Sequence, residues 1–357
     1  MERKKIRVLV VDDSALVRQV ISQGLGQDPG IEVVGTASNP YIARDKIIQL
    51  RPDVLTLDVE MPRMDGVEFL RKLMPQFPLP VVIVSALTER GKQITLDAME
   101  AGAVEIVTKP SSNVGAGLTI MMQELRTKVK IASTVNVSYW KNRRVPKAAP
   151  SSGRRALAES TDKVIGIGAS TGGTEAIREI LVSLPTDTPG IVIVQHMPPG
   201  FTRMFAQRLN QQCNLLVKEA TDGDRVIAGQ ALIAPGDKHV RVVRRGGIYS
   251  VKCDAGETVC GHCPSVDVLM ESLSREVGAN ALGVILTGMG RDGANGLLKL
   301  RQAGGRTLGQ NQESCVVYGM PREAFEIGAV EKQAPLDQMA VEITNKVRSM
   351  EKAMKTR

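Results

Sequence analysis

The sequence is poor in histidine, cysteine and aromatic residues. Three histidines, five cysteines and one tryptophan occur among 357 residues. An odd number of cysteines in a long chain fits reduced thiols better than a disulfide framework. No run of about 18 apolar residues occurs, which excludes a membrane-spanning helix, and the basic N-terminus lacks the features of a secretory signal. We therefore expect a cytoplasmic protein that inserts no segment into a membrane.

Basic residues exceed acidic residues, 46 against 38, but the excess is confined to two segments. Residues 133–160 contain six Lys or Arg and one Glu, and the last twelve residues contain five Lys or Arg and one Glu. The two segments, at +5 and +4, account for the whole net charge of +8. Such segments are usually solvated and no helix-turn-helix pattern accompanies them, so we expect no nucleic-acid partner.

Residues 6–110 alternate short apolar runs with stretches of helical periodicity. The runs cover residues 6–11, 31–37, 54–58, 81–86 and 104–108. Continuous apolar runs are typical of parallel strands that are buried on both faces. Five such strands with crossover helices, and a last helix over 114–132, predict a flavodoxin-like α/β domain in residues 1–132.

The composition changes at residue 133. Residues 133–160 contain prolines, paired arginines and Trp140 without sustained periodicity, which predicts an interdomain linker. Runs typical of parallel strands return at 164–168, 191–195 and 282–287, whereas the Gly-rich region 215–252 predicts an antiparallel excursion. The prediction is a doubly wound, mostly parallel α/β domain over 161–350, followed by a basic tail over 351–357.

Polar residues stand where the strands of the first domain end. Asp12 and Asp13 follow the first strand, and Asp58 ends the third. Ser85 lies near the end of the fourth strand, and Lys109 follows the fifth. Because the carboxyl ends of parallel strands meet at one edge of the sheet, we expect these side chains to lie together. Clustered carboxylates favour Mg²⁺ and offer a nucleophile for a phosphoryl group; a surface cluster of helix-capping acids is the alternative.

This cluster resembles the phosphorylation site in the receiver domain of bacterial response regulators. The matching motifs are Asp12-Asp13, Asp58-Val-Glu-Met-Pro-Arg-Met-Asp-Gly66, Ser85-Ala86 and Lys109-Pro110. The resemblance covers about residues 5–130 and implies that a sensor histidine kinase phosphorylates Asp58. The implied ligands of Mg²⁺ are Asp13, Asp58 and the backbone of Glu60, with Asp12 in support.

The same resemblance implies that Ser85 and Lys109 contact the phosphate. Many receivers also carry an aromatic switch residue three positions before the lysine, where this chain has Ile106. We therefore expect phosphorylation to act through a domain interface rather than through the flip of an aromatic ring.

A glycine-rich turn after the first strand of the second domain contains a candidate nucleophile. Gly168-Ala-Ser170-Thr-Gly172 matches G-x-S-x-G between a strand and a helix, which is the setting of a nucleophile elbow. The glycines permit the tight turn, and the helix N-terminus offers N–H groups to a developing oxyanion. Ser170 is therefore the candidate nucleophile of a hydrolase.

A serine nucleophile requires a base, and the chain offers three histidines. His196 directly follows the strand at 191–195, on the same sheet edge as Ser170. His239 lies in a turn-rich stretch and His262 in Cys260-Gly-His-Cys263. Neither has that placement, which favours structural or surface roles for both.

A carboxylate is needed to orient the imidazole and to stabilise its charged form. Asp292 follows the strand at 282–287 and is the first candidate, with Asp267 and Asp237 as alternatives. The chain order Ser-His-Asp differs from that of the α/β-hydrolases, so that fold is not assigned.

Two other motifs have weaker interpretations. Residues 288–293 match G-x-G-x-x-G, but a dinucleotide fold places this motif after its first strand, with an acidic residue about 20 residues later. Cys260-Gly-His-Cys263 has redox-motif spacing without a thioredoxin-like setting, and a zinc site needs two more ligands. We therefore expect no cofactor in the second domain.

With both domains considered, the chain resembles the chemotaxis receptor protein-glutamate methylesterases from about residue 5 to residue 350. The matching motifs are Ile167-Gly-Ala-Ser170-Thr-Gly-Gly173, Gln195-His196-Met197-Pro198, Gly261-His-Cys-Pro264-Ser-Val-Asp267 and Leu286-Thr-Gly-Met289-Gly-Arg-Asp292-Gly293. The resemblance implies a catalytic triad of Ser170, His196 and Asp292, with the Met289 backbone N–H in the oxyanion hole. The cysteines that flank Gly261-His262 depart from the pattern expected of the family.

The resemblance further implies the substrate, the partners and the regulation. The enzyme is expected to demethylate glutamates and deamidate glutamines of methyl-accepting chemotaxis receptors through an acyl-enzyme. It is expected to be a monomer that receives its phosphate from the chemotaxis sensor histidine kinase. The unphosphorylated receiver is expected to cover the catalytic edge, and phosphorylation of Asp58 to release it.

Overall fold

The computed structural model describes residues 4–62, 64–86, 88–110, 114–135, 137 and 162–355, with side chains except at 89, 90, 114, 116 and 351–355. The chain divides into two compact units, Met1–Val145 and Pro146–Arg357. The boundary falls within the predicted linker 133–160. Most of that linker, including Trp140, lies outside the described residues, as do residues 356 and 357 of the predicted tail.

The first unit contains a five-stranded parallel sheet. Its strands are β1 Ile6–Val11, β2 Ile31–Ala37, β3 Val54–Leu57, β4 Val81–Ser85 and β5 Glu105–Thr108, in the order β2-β1-β3-β4-β5. The helices are α1 Ala15–Gly26, α2 Pro40–Leu50, α3 Gly66–Gln76, α4 Glu89–Glu100 and α5 Val114–Ala132. This order is that of the flavodoxin-like fold, so the predicted fold is confirmed.

The core of the first unit explains why its strands are continuous apolar runs. Val8, Leu9 and Val10 are successive residues that point to opposite faces of the sheet, and all three are fully buried. On one face, α1 and α5 cover the strands through residues such as Leu25 and Leu125. Both faces are therefore covered, as is typical of parallel sheets.

The second unit contains a seven-stranded parallel sheet and a separate hairpin. The strands of the sheet are β6 Val164–Ala169, β7 Gly190–Gln195, β8 Leu216–Glu219, β9 Gln230–Ile233, β12 Ala281–Ile285, β13 Arg306–Gln310 and β14 Lys332–Ala334. The antiparallel hairpin consists of β10 His239–Arg245 and β11 Ile248–Asp254. The helices are α6 Gly173–Ser183, α7 Phe201–Gln212, α8 Val266–Glu276, α9 Ala294–Gln302, α10 Met320–Glu326 and α11 Leu336–Lys355.

The predicted mostly parallel sheet with a short antiparallel excursion is confirmed, but the excursion is smaller than expected. Within 215–252, β8 and β9 belong to the main sheet and pair in parallel, and only the hairpin is antiparallel. The prediction was wrong there because short runs bounded by glycine do not reveal their pairing partners. The sequence analysis also missed β13, whose Leu308 is its only strongly apolar residue.

The strand order β14-β13-β12-β6-β7-β9-β8 places a topological switch point beside β6. From β6 the chain continues to β7 on one side, and later returns to β12 on the other side. Ligands of open α/β sheets bind outside the carboxyl ends of the strands at such a point. The ends of β6, β7 and β12 are therefore the place to look for a site.

The C-terminal helix α11 continues to Lys355 and so extends into the predicted tail 351–357. It packs against α6 on one face of the sheet. Within the described ranges, no helix has both the length and the apolar composition needed to cross a membrane.

Candidate active site and acidic cluster

The pairing of β6 with β7 brings Ser170 and His196 to neighbouring positions. Ala169 and Gln195 are register partners at the ends of these strands, and each is followed directly by one of the two candidate residues. The backbone N–H of Ser170 donates to the carbonyl of Thr287 (3.0 Å), which ties the turn to the segment after β12. Three strand ends therefore meet at the half-buried Ser170.

Glycines shape the turn that contains Ser170. Gly172 has φ +76°, in the left-handed region that favours glycine. A Cβ atom on Gly173 would lie 2.1 Å from Oε1 of Gln195, so a larger residue does not fit there. Gly173 is also the first residue of α6, and its N–H donates to the carbonyl of Ser170 (2.7 Å). The serine is thereby held directly before a helix N-terminus.

His196 and Asp292 form a buried hydrogen-bonded pair. The distance from Nε2 of His196 to Oδ2 of Asp292 is 2.8 Å, and both side chains are more than nine-tenths buried. The other ring nitrogen, Nδ1, is buried and has no hydrogen-bond partner among the described residues. The bond between Ser170 and His196 is thus not formed in this structure; catalytic hydrogen bonds often tighten only when substrate binds.

The carboxylate of Asp292 lies at the N-terminus of α8. Its Oδ1 accepts from Oγ of Ser265 (2.7 Å) and from the N–H of Asp267 (3.0 Å), and its Oδ2 accepts from the N–H of Val266 (2.7 Å). Burial by itself raises the pKa of Asp292, but the hydrogen bonds from His196, Ser265 and this backbone hold the pKa below its ordinary value. Asp292 is therefore built to remain charged.

Ser265 is a supporting residue that the sequence analysis did not single out. It caps α8, since its Oγ also accepts from the N–H of Val268. Its own N–H donates to Nδ1 of His239 (3.2 Å), while Nε2 of His239 donates to the carbonyl of Glu257 (2.8 Å). The sequence signal for this cap was a serine two residues before Asp267, since Ser is a common N-cap and acidic residues are common in the first turn of a helix. His239 thus supports the cap and does not reach the triad itself.

The contacts of the three candidate aspartates distinguish Asp292 from Asp267 and Asp237. Oδ1 of Asp267 accepts from the N–H of Gly296 (2.6 Å), and Sγ of Cys260 donates to its Oδ2 (3.5 Å). Burial raises the pKa of Asp267. Asp237 lies in a turn with φ +60°. Of the three aspartates, Asp292 is the one that contacts His196.

The segment after β12 places Met289 beside the nucleophile. A Cβ atom on Gly288 would lie 2.7 Å from Cβ of Ser170, so the two backbones are in close contact. Oγ1 of Thr287 donates to the carbonyl of Thr171 (3.0 Å), which fixes this approach from the other side. Met289 directly follows Gly288, and its side chain is 45% exposed.

We expect Gly288→Ala to lower kcat by roughly 10²-fold, because a displacement of about 1 Å at a reacting group has an effect of this size. The added methyl group would meet Ser170 and, at 2.4 Å, Sδ of Met320. Steady-state hydrolysis measures the change. Gly26→Ala is the control, because a Cβ atom there meets nothing within 4 Å; wild-type kcat in Gly288→Ala would show that the close contact is unimportant.

In the first unit, Lys109 joins two of the predicted carboxylates. Its Nζ lies 2.8 Å from Oδ2 of Asp12 and 2.6 Å from Oδ2 of Asp58, both of which are buried. Burial raises the pKa of Asp12. Burial lowers the pKa of Lys109, but the charges of Asp58 and Asp12 outweigh it and leave that pKa raised. The lysine therefore stays cationic beside the acidic cluster.

The remaining predicted residues lie around this pair. Carboxylate oxygens of Asp12, Asp13 and Asp58 all lie within 4.8 Å of one another, and such a set of hard oxygen ligands fits Mg²⁺. The N–H of Glu60 donates to Oδ1 of Asp58 (3.2 Å). Ser85 is buried, and its carbonyl accepts from the N–H of Lys109 (2.8 Å). The structure thus brings together all the residues of the predicted cluster.

Comparison with known families identifies both domains. The family model described as CheB methylesterase matches residues 165–343, and the model described as response regulator receiver domain matches residues 8–115. A protein-glutamate methylesterase/protein-glutamine glutaminase of Syntrophotalea carbinolica is 63% identical over 344 residues, which cover 96% of this chain and 98% of the relative. The chain belongs to the CheB methylesterase family. Both resemblances predicted from the sequence are confirmed.

A second full-length relative and a solved catalytic domain also match. The protein-glutamate methylesterase/protein-glutamine glutaminase of Salmonella typhimurium is 50% identical over 343 residues, or 96% of this chain and 97% of the relative. The crystal structure of the Thermotoga maritima CheB methylesterase catalytic domain is 37% identical with a TM-score of 0.51, and covers 52% of this chain and 98% of that one. The second unit therefore has the fold of a CheB methylesterase catalytic domain.

Proposed function

We propose that this chain hydrolyses methyl esters of glutamate side chains on methyl-accepting chemotaxis receptors. The observation that carries the proposal is the meeting of Ser170, His196 and Asp292 outside the ends of β6, β7 and β12, with His196 bonded to Asp292 at 2.8 Å. The test is the release of methanol from a methyl-esterified receptor fragment. If the protein releases methanol no faster than the uncatalysed reaction, the proposal is refuted.

In the proposed acylation step, Oγ of Ser170 attacks the ester carbonyl and His196 accepts its proton. The hydrogen bond to Asp292 occupies Nε2 of His196, so the lone pair that takes the proton is on Nδ1. The charge on Asp292 then stabilises the imidazolium. The N–H of Met289 is the proposed oxyanion donor, and the N-terminus of α6 adds its positive dipole.

The tetrahedral intermediate then collapses. His196 returns its proton to the departing methoxide and methanol leaves, which completes acylation. Water then attacks the glutamyl ester of Ser170 with His196 as base, which frees the glutamate and restores the serine. Deamidation of glutamine passes through the same acyl intermediate with ammonia as the leaving group. One site therefore accounts for both activities in the names of the relatives.

The first domain is proposed to control this site through phosphorylation of Asp58. Asp13, Asp58 and the backbone of Glu60 would hold Mg²⁺, with Asp12 in support, and the ion would offset the repulsion between the carboxylates and the phosphoryl group. Oδ of Asp58 is the proposed nucleophile, and Lys109 and Ser85 are the proposed phosphate contacts. Residue 106 is an isoleucine without an aromatic ring, so the proposed signal passes through a domain interface rather than through the flip of a ring.

We expect an acyl phosphate with Mg²⁺ to raise the esterase activity of the full chain by roughly 5- to 150-fold, the usual range of allosteric coupling. Asp58→Asn should remove this response because an amide forms no acyl phosphate, and Asp45→Asn on the exposed face of α2 should keep it. Methanol release with and without the phosphodonor measures both.

A fragment of residues 155–357 should have a higher esterase activity than the unphosphorylated full chain, because it lacks the receiver. Equal activities would argue against coverage of the site by the receiver.

The proposed function also implies the partners and the compartment of the protein. The phosphodonor is the chemotaxis sensor histidine kinase, the substrates are chemotaxis receptors, and the protein acts as a cytoplasmic monomer. The receiver and methylesterase domains in one chain support the phosphodonor and the substrate. Gel filtration of the full chain tests the monomer.

A further inference from the structure

His262 lies flat against the catalytic histidine. The ring centroids of His196 and His262 are 3.7 Å apart, and the ring planes differ by 12°. The sequence favours a structural or surface role for His262, because it lacks the placement at the sheet edge that His196 has. The structure instead places it in direct contact with the base of the proposed triad.

The stacked ring supplies a constraint that Asp292 does not. The covalent bond to Cβ and the hydrogen bond at Nε2 leave the ring one remaining motion, a turn about the Cβ–Cγ bond that strains the hydrogen bond only gradually. Such a turn would redirect Nδ1, the proposed proton acceptor. A parallel ring at van der Waals distance blocks this rotation, because tilting either plane brings ring atoms into overlap.

His262 is itself held by a tight turn. The N–H and carbonyl groups of Val259 and His262 are mutually hydrogen-bonded at 3.0 Å, which closes a two-residue hairpin turn over Cys260 and Gly261. Both turn residues have positive φ, +52° and +80°, as this kind of turn requires. The thiol of Cys260 bonds Asp267, which anchors the turn to α8 beside Asp292. The turn thus provides a rigid support for the ring.

We propose that His262 is a positioning residue that fixes the ring plane of His196 by stacking. The inference rests on the proposed hydrolase function, because His196 is the base of that reaction. His262 would be the second residue, after Asp292, that holds the ring of His196 in place. It also gives the Val259–His262 turn a structural role at the site that requires neither redox chemistry nor a metal.

The test compares the full-length His262→Ala, His262→Leu and His262→Phe variants in methanol release. We expect His262→Ala and His262→Leu to lower kcat by roughly 10²-fold with little change in KM, as for a misplaced catalytic group. We expect His262→Phe to recover most of the activity, since its flat ring retains the stack. Cys263→Ala, which changes the residue after His262 outside the Val259–His262 turn, is the control and should stay close to wild type.

A second readout is independent of turnover. The chain has three histidines, so ¹⁵N-histidine labelling gives a spectrum with few signals. The signal of the His196 Nε2–H held by Asp292 should be sharp in wild type and in His262→Phe, and broadened in His262→Ala. An unchanged signal in His262→Ala would overturn the proposal, as would wild-type kcat in His262→Ala or equal activities of the Phe and Ala variants. A wild-type protein that releases no methanol would instead refute the proposed function, while the spectra would still test the stacking.

Discussion

The Ser170→Ala protein is expected to lose methylesterase activity by roughly 10⁴- to 10⁶-fold in kcat, the effect of removing the nucleophile of a triad. Without Oγ no acyl-enzyme forms, and direct attack of water on the ester is left. Methanol release from a methyl-esterified receptor fragment measures the loss. The fold should be unchanged, because the turn is held by the backbone N–H and carbonyl of residue 170, which alanine keeps.

The matched control for this substitution is Ser183→Ala. Ser183 is an exposed residue at the end of α6, the helix that begins beside the site, and its Oγ donates to the carbonyl of Glu179. It should keep wild-type kcat and a nearly unchanged melting temperature. Substantial hydrolysis by Ser170→Ala would show that another group is the nucleophile, whatever the control does.

Asp292→Asn is expected to lower kcat by roughly 10⁴-fold, as loss of the triad carboxylate does when the imidazole adopts the wrong tautomer. The amide NH₂ cannot accept the hydrogen bonds that the carboxylate receives. It would face the Nε2–H of His196 or the N-terminus of α8, both of which are donors. His196 would then present a proton rather than a lone pair to Ser170.

The same substitution is expected to reduce the free energy of unfolding at pH 7 by about 3 kcal/mol, since it leaves buried donors without an acceptor. The pKa of Asp292 is lowered by folding, so its contribution to stability is complete above its ordinary value of 3.8. That contribution is lost as the pH falls below 3.8 through the pKa of the folded protein. Urea denaturation should therefore show a difference between the two proteins that is constant near neutrality and shrinks under acidic conditions.

Asp254→Asn separates this effect from a general loss of charge. Asp254 forms a partly exposed ion pair with Arg241 in the hairpin, and such pairs contribute about 0–1 kcal/mol. Its kcat should be that of wild type. If Asp292→Asn behaved like this control in both assays, the hydrogen-bonded carboxylate would have no part in catalysis or stability.

Most of the fold could be predicted because parallel strands leave a strong signal. The runs at 6–11 and 31–37 coincide with β1 and β2, and the other three strands of the first sheet end within one residue of the prediction. Strands at or next to the edges of the second sheet were harder to predict. β13 and β14 have few apolar residues, and the direction in which β8 pairs is decided by its neighbour β9 rather than by its own sequence.

The candidate site could be predicted in part because residues that follow parallel strands meet at one edge. This placement singled out Ser170, His196 and Asp292, and the structure places them at adjoining strand ends. The sequence could not choose firmly between Asp292 and Asp267, because that choice depends on how α8 approaches the edge. The contact of His262 with His196 arises from the same approach and has no counterpart in local sequence patterns.

The central claim is that Ser170 forms a covalent acyl-enzyme with the receptor glutamate. The most direct measurement is mass spectrometry of the full chain, phosphorylated and quenched in acid during turnover of a methyl-esterified receptor peptide. We predict an adduct with the mass of the peptide less methanol, mapped to the tryptic fragment with Ser170 and absent from Ser170→Ala. Methanol release at the wild-type rate by Ser170→Ala, or an adduct on another residue, would contradict the account.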